Sequence, residues 1–427
     1  MVSHTHWDRE WYLTFNEFRF RLIHVIDKAI ELAEESLSRD DFAWDSFMLD
    51  GQTSVLEDYL EVRTRMAETL KRVISEGKIV VGPWYVLADE FLESGEGLIR
   101  NLLIGHEIAE KYGKPMQIGY VPDTFGHVWQ LPQILAGFGI RSCYMFRGYP
   151  PLFGGHVEYK GKNQDFPLEF FWSAPDGTKV LTLHHITGYG NASNLSEGAI
   201  SGEYKFMGAL VKILSAVERL EKRSKKNILL IMNGTDHLFP DENVPNIVKF
   251  FNEDKELSEE MTLRHTTLFD YFQALHDNSY DLPELAGEMR GSAYTQVTPA
   301  CLSSRMYLKQ MNWESSNALE NVAEKFATLA WYQGAIYPRD QLTHAWKLLL
   351  RNHPHDSICG CSIDRVHDDM ETRFAEIMDM VNAIADGSLK FIMKAMRPKS
   401  GNSVPFVVFN TTNWDQTAPV EALIAPP

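Results

Sequence analysis

Apolar residues follow two different spacings in roughly the first two thirds of the chain. Some segments are helical in pattern, as where Leu22, Ile26 and Ala29 recur on one face of a predicted helix. Short continuous apolar runs lie between these segments, and such runs are typical of strands that are buried on both faces. This alternation predicts a parallel α/β fold.

Six apolar runs predict the strands of that fold. They are 47–49, 79–81, 118–121, 143–146, 180–183 and 228–232. Polar residues follow each run, among them Asp50, Trp84, Asp123, Arg147, Tyr189 and Asp236. Ligands of parallel α/β folds collect at the carboxyl ends of strands, so these side chains are expected to share one rim. For any single aspartate, a helix N-cap is an equally good interpretation.

The pattern changes near residue 290 and becomes almost entirely helical. The predicted helices are 318–333, 339–351 and 364–396, and together they indicate a small three-helix bundle. Residues 404–410 alternate like a strand, but the sequence ends soon afterwards. We therefore expect the chain to stop inside a further β domain.

These patterns predict three domains. An α/β domain spans 1–290, a helical middle domain spans 291–400, and the start of a C-terminal β domain spans 401–427. A chain of 427 residues is long enough for one large domain and at least one smaller one.

Composition narrows the function classes. Lys and Arg number 41 against 58 Asp and Glu, and the resulting net charge of −17 opposes binding to nucleic acid or to anionic membranes. Four cysteines are too few and too unevenly placed for a disulfide framework, so we expect a cytoplasmic protein. No signal peptide or membrane span is predicted from the apolar runs, and a homo-oligomer is left open.

Two histidine motifs suggest a metal site. His6 and Asp8 alternate with His4, so an extended backbone would let His6 and Asp8 reach one cation. The motif 352–356 adds two histidines and an aspartate around a proline. Imidazole with carboxylate oxygen suits zinc better than magnesium or calcium. The alternative for either motif alone is helix capping or ordinary hydrogen bonding.

Two carboxylates follow predicted strands, as glycoside hydrolysis requires. Asp123 stands in a Pro-Asp-Thr-Phe-Gly sequence and would serve as nucleophile, metal ligand or both. Asp236 stands in Asn-Gly-Thr-Asp-His and supplies the second carboxylate. The alternative is two unrelated loop aspartates. Trp11 and Trp84 would stack on a sugar, although core packing is the commoner role for such residues.

Cys359 and Cys361 are separated by one glycine. This spacing differs from the CxxC of structural zinc sites, and no second pair exists in the sequence. We interpret the two cysteines as packing residues.

Taken together, the motifs resemble glycoside hydrolase family 38, the α-mannosidases, and most of all its bacterial members. Six motifs carry the resemblance in order along nearly the whole chain. They are His4–Trp11, Leu49–Gln52, Gly82–Tyr85, Pro122–Gly126, Asn233–His237 and Asn352–Gly360.

The resemblance implies a seven-stranded parallel β/α barrel, then a three-helix bundle, then the start of a β-sandwich. It also implies a Zn²⁺ site held by His6, Asp8, Asp123 and His355. Asp123 would also be the nucleophile and Asp236 the general acid/base. The residues that would contact the substrate are Trp11, Trp84, Arg147, Tyr189 and Asp356.

The function implied is a zinc-dependent retaining α-mannosidase that acts on an α-mannoside or a mannose-containing oligosaccharide. In such an enzyme one carboxylate attacks the anomeric carbon while the other protonates the leaving oxygen. A metal ion beside Asp123 would keep it ionised, whereas Asp236 lies away from the metal and its pKa can rise.

Three other functions stay open at this point. One is a hydrolase of mannosylglycerate or its 6-phospho form, the second a zinc-dependent carbohydrate deacetylase, and the third a sugar-binding protein without activity. Compared with the family, the strand before the first motif and the C-terminal sandwich are both expected to be cut short.

Overall fold

The structure is a computed structural model that describes residues 1–152, 166–197, 206–278, 281–394 and 406–421. The chain forms two compact units. One unit comprises Met1–Lys309 together with Leu350–Met370, and the other comprises Gln310–Leu349 together with Glu371–Pro427. This spatial division is not the same as the predicted domain bounds, which stay predictions.

The strands of the described residues all lie in the first unit. They are β1 Val2–Thr5, β2 Phe47–Leu49, β3 Ile79–Val80, β4 Gly119–Val121, β5 Ser142–Met145, β6 Glu169–Ser173, β7 Lys179–His184, β8 Met232–Asn233 and β9 Glu284–Ala286. They form a four-stranded sheet of order β3-β2-β1-β8 and a five-stranded sheet of order β4-β5-β7-β6-β9. Every pairing is parallel except that of β6 with β7.

This arrangement confirms the predicted α/β fold with parallel strands. The six predicted strands all appear, although the run 228–232 forms strand only at its end, in β8. β1, β6 and β9 have no counterpart among the predicted runs. A turn joins β6 to β7 and makes this pair antiparallel. In the turn, the Ala174 N–H donates to the Thr178 carbonyl, and the Gly177 N–H donates to the Ala174 carbonyl.

β1 leads into the first histidine motif. Val2–Thr5 forms a strand that contains His4 and is buried throughout. It pairs with β2 on one side and with β8 on the other. His4, the first residue of the histidine motif, therefore lies on one of the two inner strands of the four-stranded sheet.

Fourteen α-helices occur in the described residues. They are α1 Phe15–Ser38, α2 Ser54–Leu60, α3 Ala67–Ser75, α4 Gly95–Tyr112, α5 Leu131–Gly137, α6 Met207–Glu221, α7 Val244–Glu253, α8 Lys255–Glu260, α9 Leu268–His276, α10 Met306–Ala318, α11 Glu324–Tyr332, α12 Arg339–Leu350, α13 His355–Ile358 and α14 Asp364–Met393. Short 3₁₀ segments are Thr64–Met66 and Pro299–Leu302, and Leu319–Ala323 is a π-helical segment.

Helix placement follows the apolar spacing. The α1 residues Leu22, Ile26 and Ala29 are fully buried, as their helical periodicity predicts. One core cluster joins the five-stranded sheet to a helix, because it includes Phe170 and Trp172 of β6 together with Leu131 and Leu135 of α5. This packing fixes the sheet whose strand ends carry Asp123 and Arg147.

In the helical second half, the predicted helix 318–333 begins earlier than expected. The structure has a longer helical run, in which α10 passes through the π segment into α11. The predicted strand at 404–410 is wrong for residues 406–410, which have no regular structure, and residues 404 and 405 lie outside the described residues. Without a described partner strand, alternation alone does not form a sheet.

Candidate active site and metal centre

His6 and Asp8 lie just beyond β1, where the backbone is locked to the loop after β8. The His6 N–H donates to the Thr235 carbonyl at 3.1 Å, and the His237 N–H donates to the His6 carbonyl at 2.8 Å. His6 and Asp236 thereby form a parallel bridge. The first histidine motif and the loop of the second carboxylate therefore share one backbone ladder.

His355 reaches the same place from the far end of the sequence. It begins the short helix α13 after Pro354, which bridges to Ala88. Both the backbone N–H of His355 and its ring Nδ1 point at the Leu87 carbonyl, at 3.0 and 3.2 Å. Because a carbonyl only accepts, the proton is on Nδ1, and Nε2 faces the first motif.

The four residues predicted to hold zinc come together in the first compact unit. One ligand atom from each of His6, Asp8 and His355 lies within 4.8 Å of the other two. Asp8 Oδ1 is 3.2 Å from His6 Nε2 and 3.5 Å from His355 Nε2. Asp123 borders this trio, with its Oδ2 3.5 Å from His355 Nε2.

The trio has the character of a metal site. His6 Nε2, Asp8 Oδ1 and His355 Nε2 are buried, and within the described residues they face one another without a well-aligned hydrogen bond. Buried polar atoms that lack a well-aligned partner are costly, by up to about 1–3 kcal/mol each. Two imidazole nitrogens and carboxylate oxygens are a donor set that fits Zn²⁺. The residues present therefore fit the metal that the sequence predicts.

Asp50 orients His6 from behind. Its Oδ2 lies 2.9 Å from His6 Nδ1 and accepts hydrogen bonds from the Trp7 N–H at 2.7 Å and from Gln52 Nε2 at 2.9 Å. Asp50 itself has a φ of 51°, a conformation that non-glycine residues seldom adopt. A carboxylate behind a histidine ligand fixes the orientation of the ring and raises its basicity.

The charged groups around the metal-site trio shift one another's pKa values. Burial disfavours the charged imidazole of His6, but Asp50 and Asp8 outweigh it and raise the pKa of His6 well above its usual value. Burial likewise opposes charge on Asp8, yet His6 and His355 lower its pKa. Burial and Asp8 act together to raise the pKa of Asp356. A bound cation would compete with protons for these same atoms.

Asp123 follows β4 and is paired with Arg147, which follows β5. Arg147 Nε donates to Asp123 Oδ1 at 2.8 Å, and its Nη1 donates to the Gln296 carbonyl at 2.9 Å. Burial favours the neutral acid, but His355, His6 and Arg147 together lower the pKa of Asp123. Asp123 is therefore held ionised, as a nucleophile must be.

Asp236 lies at the solvent-exposed side of this site. It follows β8, and its Oδ1 accepts a hydrogen bond of 3.0 Å from the Tyr189 hydroxyl. The Tyr189 ring also lies 4.9 Å from the His6 ring, between the metal-site trio and Asp236. Tyr189 thus links the two sides of the site.

Three of the predicted substrate contacts remain: Asp356, Trp11 and Trp84. Asp356 adjoins His355, and its Oδ2 lies 4.0 Å from His355 Nε2. Trp11 is half-buried, and its ring contacts that of Tyr12. Trp84 is 2% exposed, belongs to the core cluster, and donates its indole N–H to the Tyr120 carbonyl at 3.0 Å. This placement favours core packing over sugar stacking for Trp84.

Two residues that contact the metal-site trio are not predicted from the sequence to have a function. One is Asp50, which is predicted only to lie on the rim of strand ends. The other is His237, whose Nε2 lies 3.6 Å from Asp8 Oδ2. The sequence does contain a signal for Asp50. It is a carboxylate that directly follows a strand, and that strand neighbours the one that leads into the histidine motif. His237 also has a φ of 55°, and nothing in its local sequence marks that conformation.

Comparison with known proteins gives the class of the chain. Residues 1–289 match the model of the glycosyl hydrolases family 38 N-terminal domain, and residues 299–392 match that of the alpha mannosidase middle domain. The chain belongs to glycoside hydrolase family 38. Its likeness to this family, first seen in six motifs, is thereby confirmed.

Particular relatives are bacterial and eukaryotic. A Halalkalibacterium halodurans protein named "Putative mannosylglycerate hydrolase" is 38% identical over 388 residues, which is 88% of this chain and 41% of that protein. Human alpha-mannosidase 2C1 is 25% identical over 97% of this chain and 36% of its own length. The crystal structure of an alpha-mannosidase from Enterococcus faecalis V583 aligns with a TM-score of 0.83 and 36% identity, covering 93% of this chain and 43% of that one.

The chain spans about two fifths of the length of these relatives. In the ranges that the structure describes, no helix combines the length and apolar character needed to cross a membrane.

Proposed function

We propose that this chain carries the catalytic site of a zinc-dependent retaining α-mannosidase, in which His6, Asp8, Asp123 and His355 hold the metal. The observation that carries the proposal is the trio of buried ligand atoms that face one another without well-aligned hydrogen bonds, set beside an ionised carboxylate in a family 38 chain. The substrate class is a terminal α-mannoside or a mannose-containing oligosaccharide.

In this proposal, Asp123 attacks the anomeric carbon and forms a glycosyl ester, while Asp236 gives a proton to the leaving oxygen. Asp236 then takes a proton from the water that hydrolyses the ester. Arg147 holds the Asp123 carboxylate in place through its 2.8 Å hydrogen bond, and the Tyr189 hydroxyl orients Asp236. Zinc, when bound, supplies positive charge that polarises sugar hydroxyls.

The second carboxylate separates this proposal from a deacetylase. A zinc-dependent deacetylase activates water on the metal and needs no carboxylate in the position of Asp236. Here the backbone of Asp236 is tied to that of His6 by a bridge, and this supports the assignment of Asp236 as a second carboxylate of the same site. This favours glycoside hydrolysis.

The test uses the purified full chain with an aryl α-mannoside. We expect release of mannose with retained anomeric configuration, followed in real time by NMR. Chelation should remove the activity, and zinc should restore it. Initial release of the β-anomer would contradict the retaining mechanism, and acetate release from an acetylated sugar would favour the deacetylase.

A mannosylglycerate hydrolase is the second candidate. The support is the Halalkalibacterium halodurans relative, which carries that name and matches 88% of this chain. A comparison of kcat/KM for mannosylglycerate and for a mannobioside distinguishes the two. A higher kcat/KM for mannosylglycerate would make mannosylglycerate the proposed substrate in place of an oligosaccharide.

A cytoplasmic location is part of the same proposal. All four cysteines are free thiols, three of them close together, and this fits a reducing compartment. Measuring the chain in fractionated cells would test it, since recovery outside the cytoplasm would contradict the location.

A further inference from the structure

Three of the four cysteines gather next to the candidate active site. Cys359 lies close enough to both Cys301 and Cys361 to interact with them electrostatically. Cys361 Sγ lies 3.0 Å from Asp356 Oδ1. One ligand atom from each of Asp356, Cys359 and Cys361 lies within 4.8 Å of the other two. We call these four residues the thiol cluster.

The backbone around the thiol cluster is built to hold it. The Cys359 carbonyl accepts hydrogen bonds from Ser304 Oγ at 2.6 Å and from Lys309 Nζ at 2.9 Å. Gly360 has a φ of 86°, and a Cβ there would lie 2.7 Å from Ser304 Oγ. Glycine therefore allows the turn that brings Cys359 and Cys361 together against the segment containing Cys301.

From this convergence we infer a second metal site, distinct from the histidine and aspartate site. Cys359, Cys361 and Asp356 would hold a thiophilic divalent cation such as Zn²⁺ or Cd²⁺. Thiolate ligands select soft metals. Each cysteine that binds releases its thiol proton to solvent.

Charge and access both suit a cation at the thiol cluster. Lys309 interacts electrostatically with all three cysteines, so its ammonium offsets part of the negative charge that thiolate ligands would bring. The negative charges of two thiolates and of the Asp356 carboxylate would balance the positive charges of Lys309 and of a divalent cation. Cys359 is fully buried, whereas Cys361 is exposed and gives an entry path from solvent.

Asp356 connects the two sites. Its Oδ1 faces Cys361 at 3.0 Å, and its Oδ2 faces His355 Nε2 at 4.0 Å. A cation at the thiol cluster would therefore fix the orientation of a carboxylate that borders the active site.

The experiment titrates Co²⁺ alone into the reduced, chelator-treated full chain. Thiolate ligation gives a sulfur-to-cobalt charge-transfer band in the near ultraviolet, and a site of His and Asp ligands has no sulfur to produce it. We expect the band in the unmodified chain and its loss in the double variant Cys359→Ser/Cys361→Ser. Cys143→Ala removes the buried thiol of β5 and should leave the band unchanged.

Further variants keep the test decisive. Because Cys359 is buried, its variant could fail to fold, so Cys361→Ser at the exposed position is measured as well and should weaken the band. His6→Ala should keep the band, so failure of the mannosidase proposal would not remove it. Absence of the band in the unmodified chain, or an undiminished band in Cys361→Ser, would overturn the second site. So would a disulfide that persists after reduction, detected by thiol titration.

Discussion

The two sides of the candidate site are built differently. On the metal side, His6, Asp8 and His355 are buried, and the positions of His6 and His355 are fixed by backbone as well as side-chain contacts. On the opposite side, Asp236 is exposed, and its side chain is held by the hydroxyl of Tyr189. A metal needs ligands that are already in place, whereas an acid/base residue needs access to the leaving group and to water.

The largest effect is expected at Asp123, which borders the metal-site trio. The change Asp123→Asn removes the proposed nucleophile and the charge that pairs with Arg147, so kcat/KM for an aryl α-mannoside should fall by about 10⁴-fold or more. Steady-state kinetics measures the loss, with thermal unfolding to verify the fold. Asp176→Asn, in the exposed β6–β7 turn, is the control and should stay near full activity. An active Asp123→Asn enzyme would refute the nucleophile assignment.

Changing the exposed side should cost less and depend on the substrate. We expect Asp236→Asn to lower kcat about 10²- to 10³-fold for poor leaving groups, because they need a proton, and much less for good ones. Rates over a series of aryl mannosides with leaving groups of different acidity measure this. An equal loss across the series would argue that Asp236 is not the proton donor.

An intermediate effect, on metal affinity, is expected for Asp50, which lies behind His6. Asp50→Asn keeps the size of the side chain but removes the charge that faces His6 Nδ1, so metal affinity should fall by about 10- to 100-fold. Titration of the metal against a competing chelator measures it. Asp45→Asn, before the other end of β2, is the matched control. Unchanged affinity in Asp50→Asn would mean that His6 is oriented by other contacts.

The smallest effect is expected for the link between the two sides. Tyr189→Phe removes one hydrogen bond to Asp236, which is worth about 0.5–1.5 kcal/mol, so kcat should fall by roughly 3- to 10-fold with metal affinity unchanged. Tyr112→Phe at the end of α4 is the control. Loss of the metal in Tyr189→Phe would show that the two sides are not separate.

Sequence patterns predict part of this architecture. Apolar runs locate strands such as β2 and β5 because buried strands need continuous apolar residues. They miss β6, whose pairing with β7 is antiparallel, and they misjudge residues 406–410, where alternation has no described partner strand. Strand pairing is a tertiary property, and local periodicity does not encode it.

The site shows the same limit. Residues that would touch the metal or substrate stand in recognisable motifs, so His6 and Asp123 can be selected from the sequence. Asp50 acts through His6, and its role depends on the register of β1 against β2. Trp84 looks like a sugar-stacking residue in sequence, but its ring is enclosed by the core.

The two contacts between His355 and the Leu87 carbonyl join positions that are 268 residues apart. Closing so long a loop carries an entropic cost before any ligand is assembled. A cation that binds only the closed form stabilises it by mass action, by about 2.7 kcal/mol when the free ion is at 100 times its dissociation constant. The cellular supply of such an ion would then influence how much of the chain persists against proteolysis.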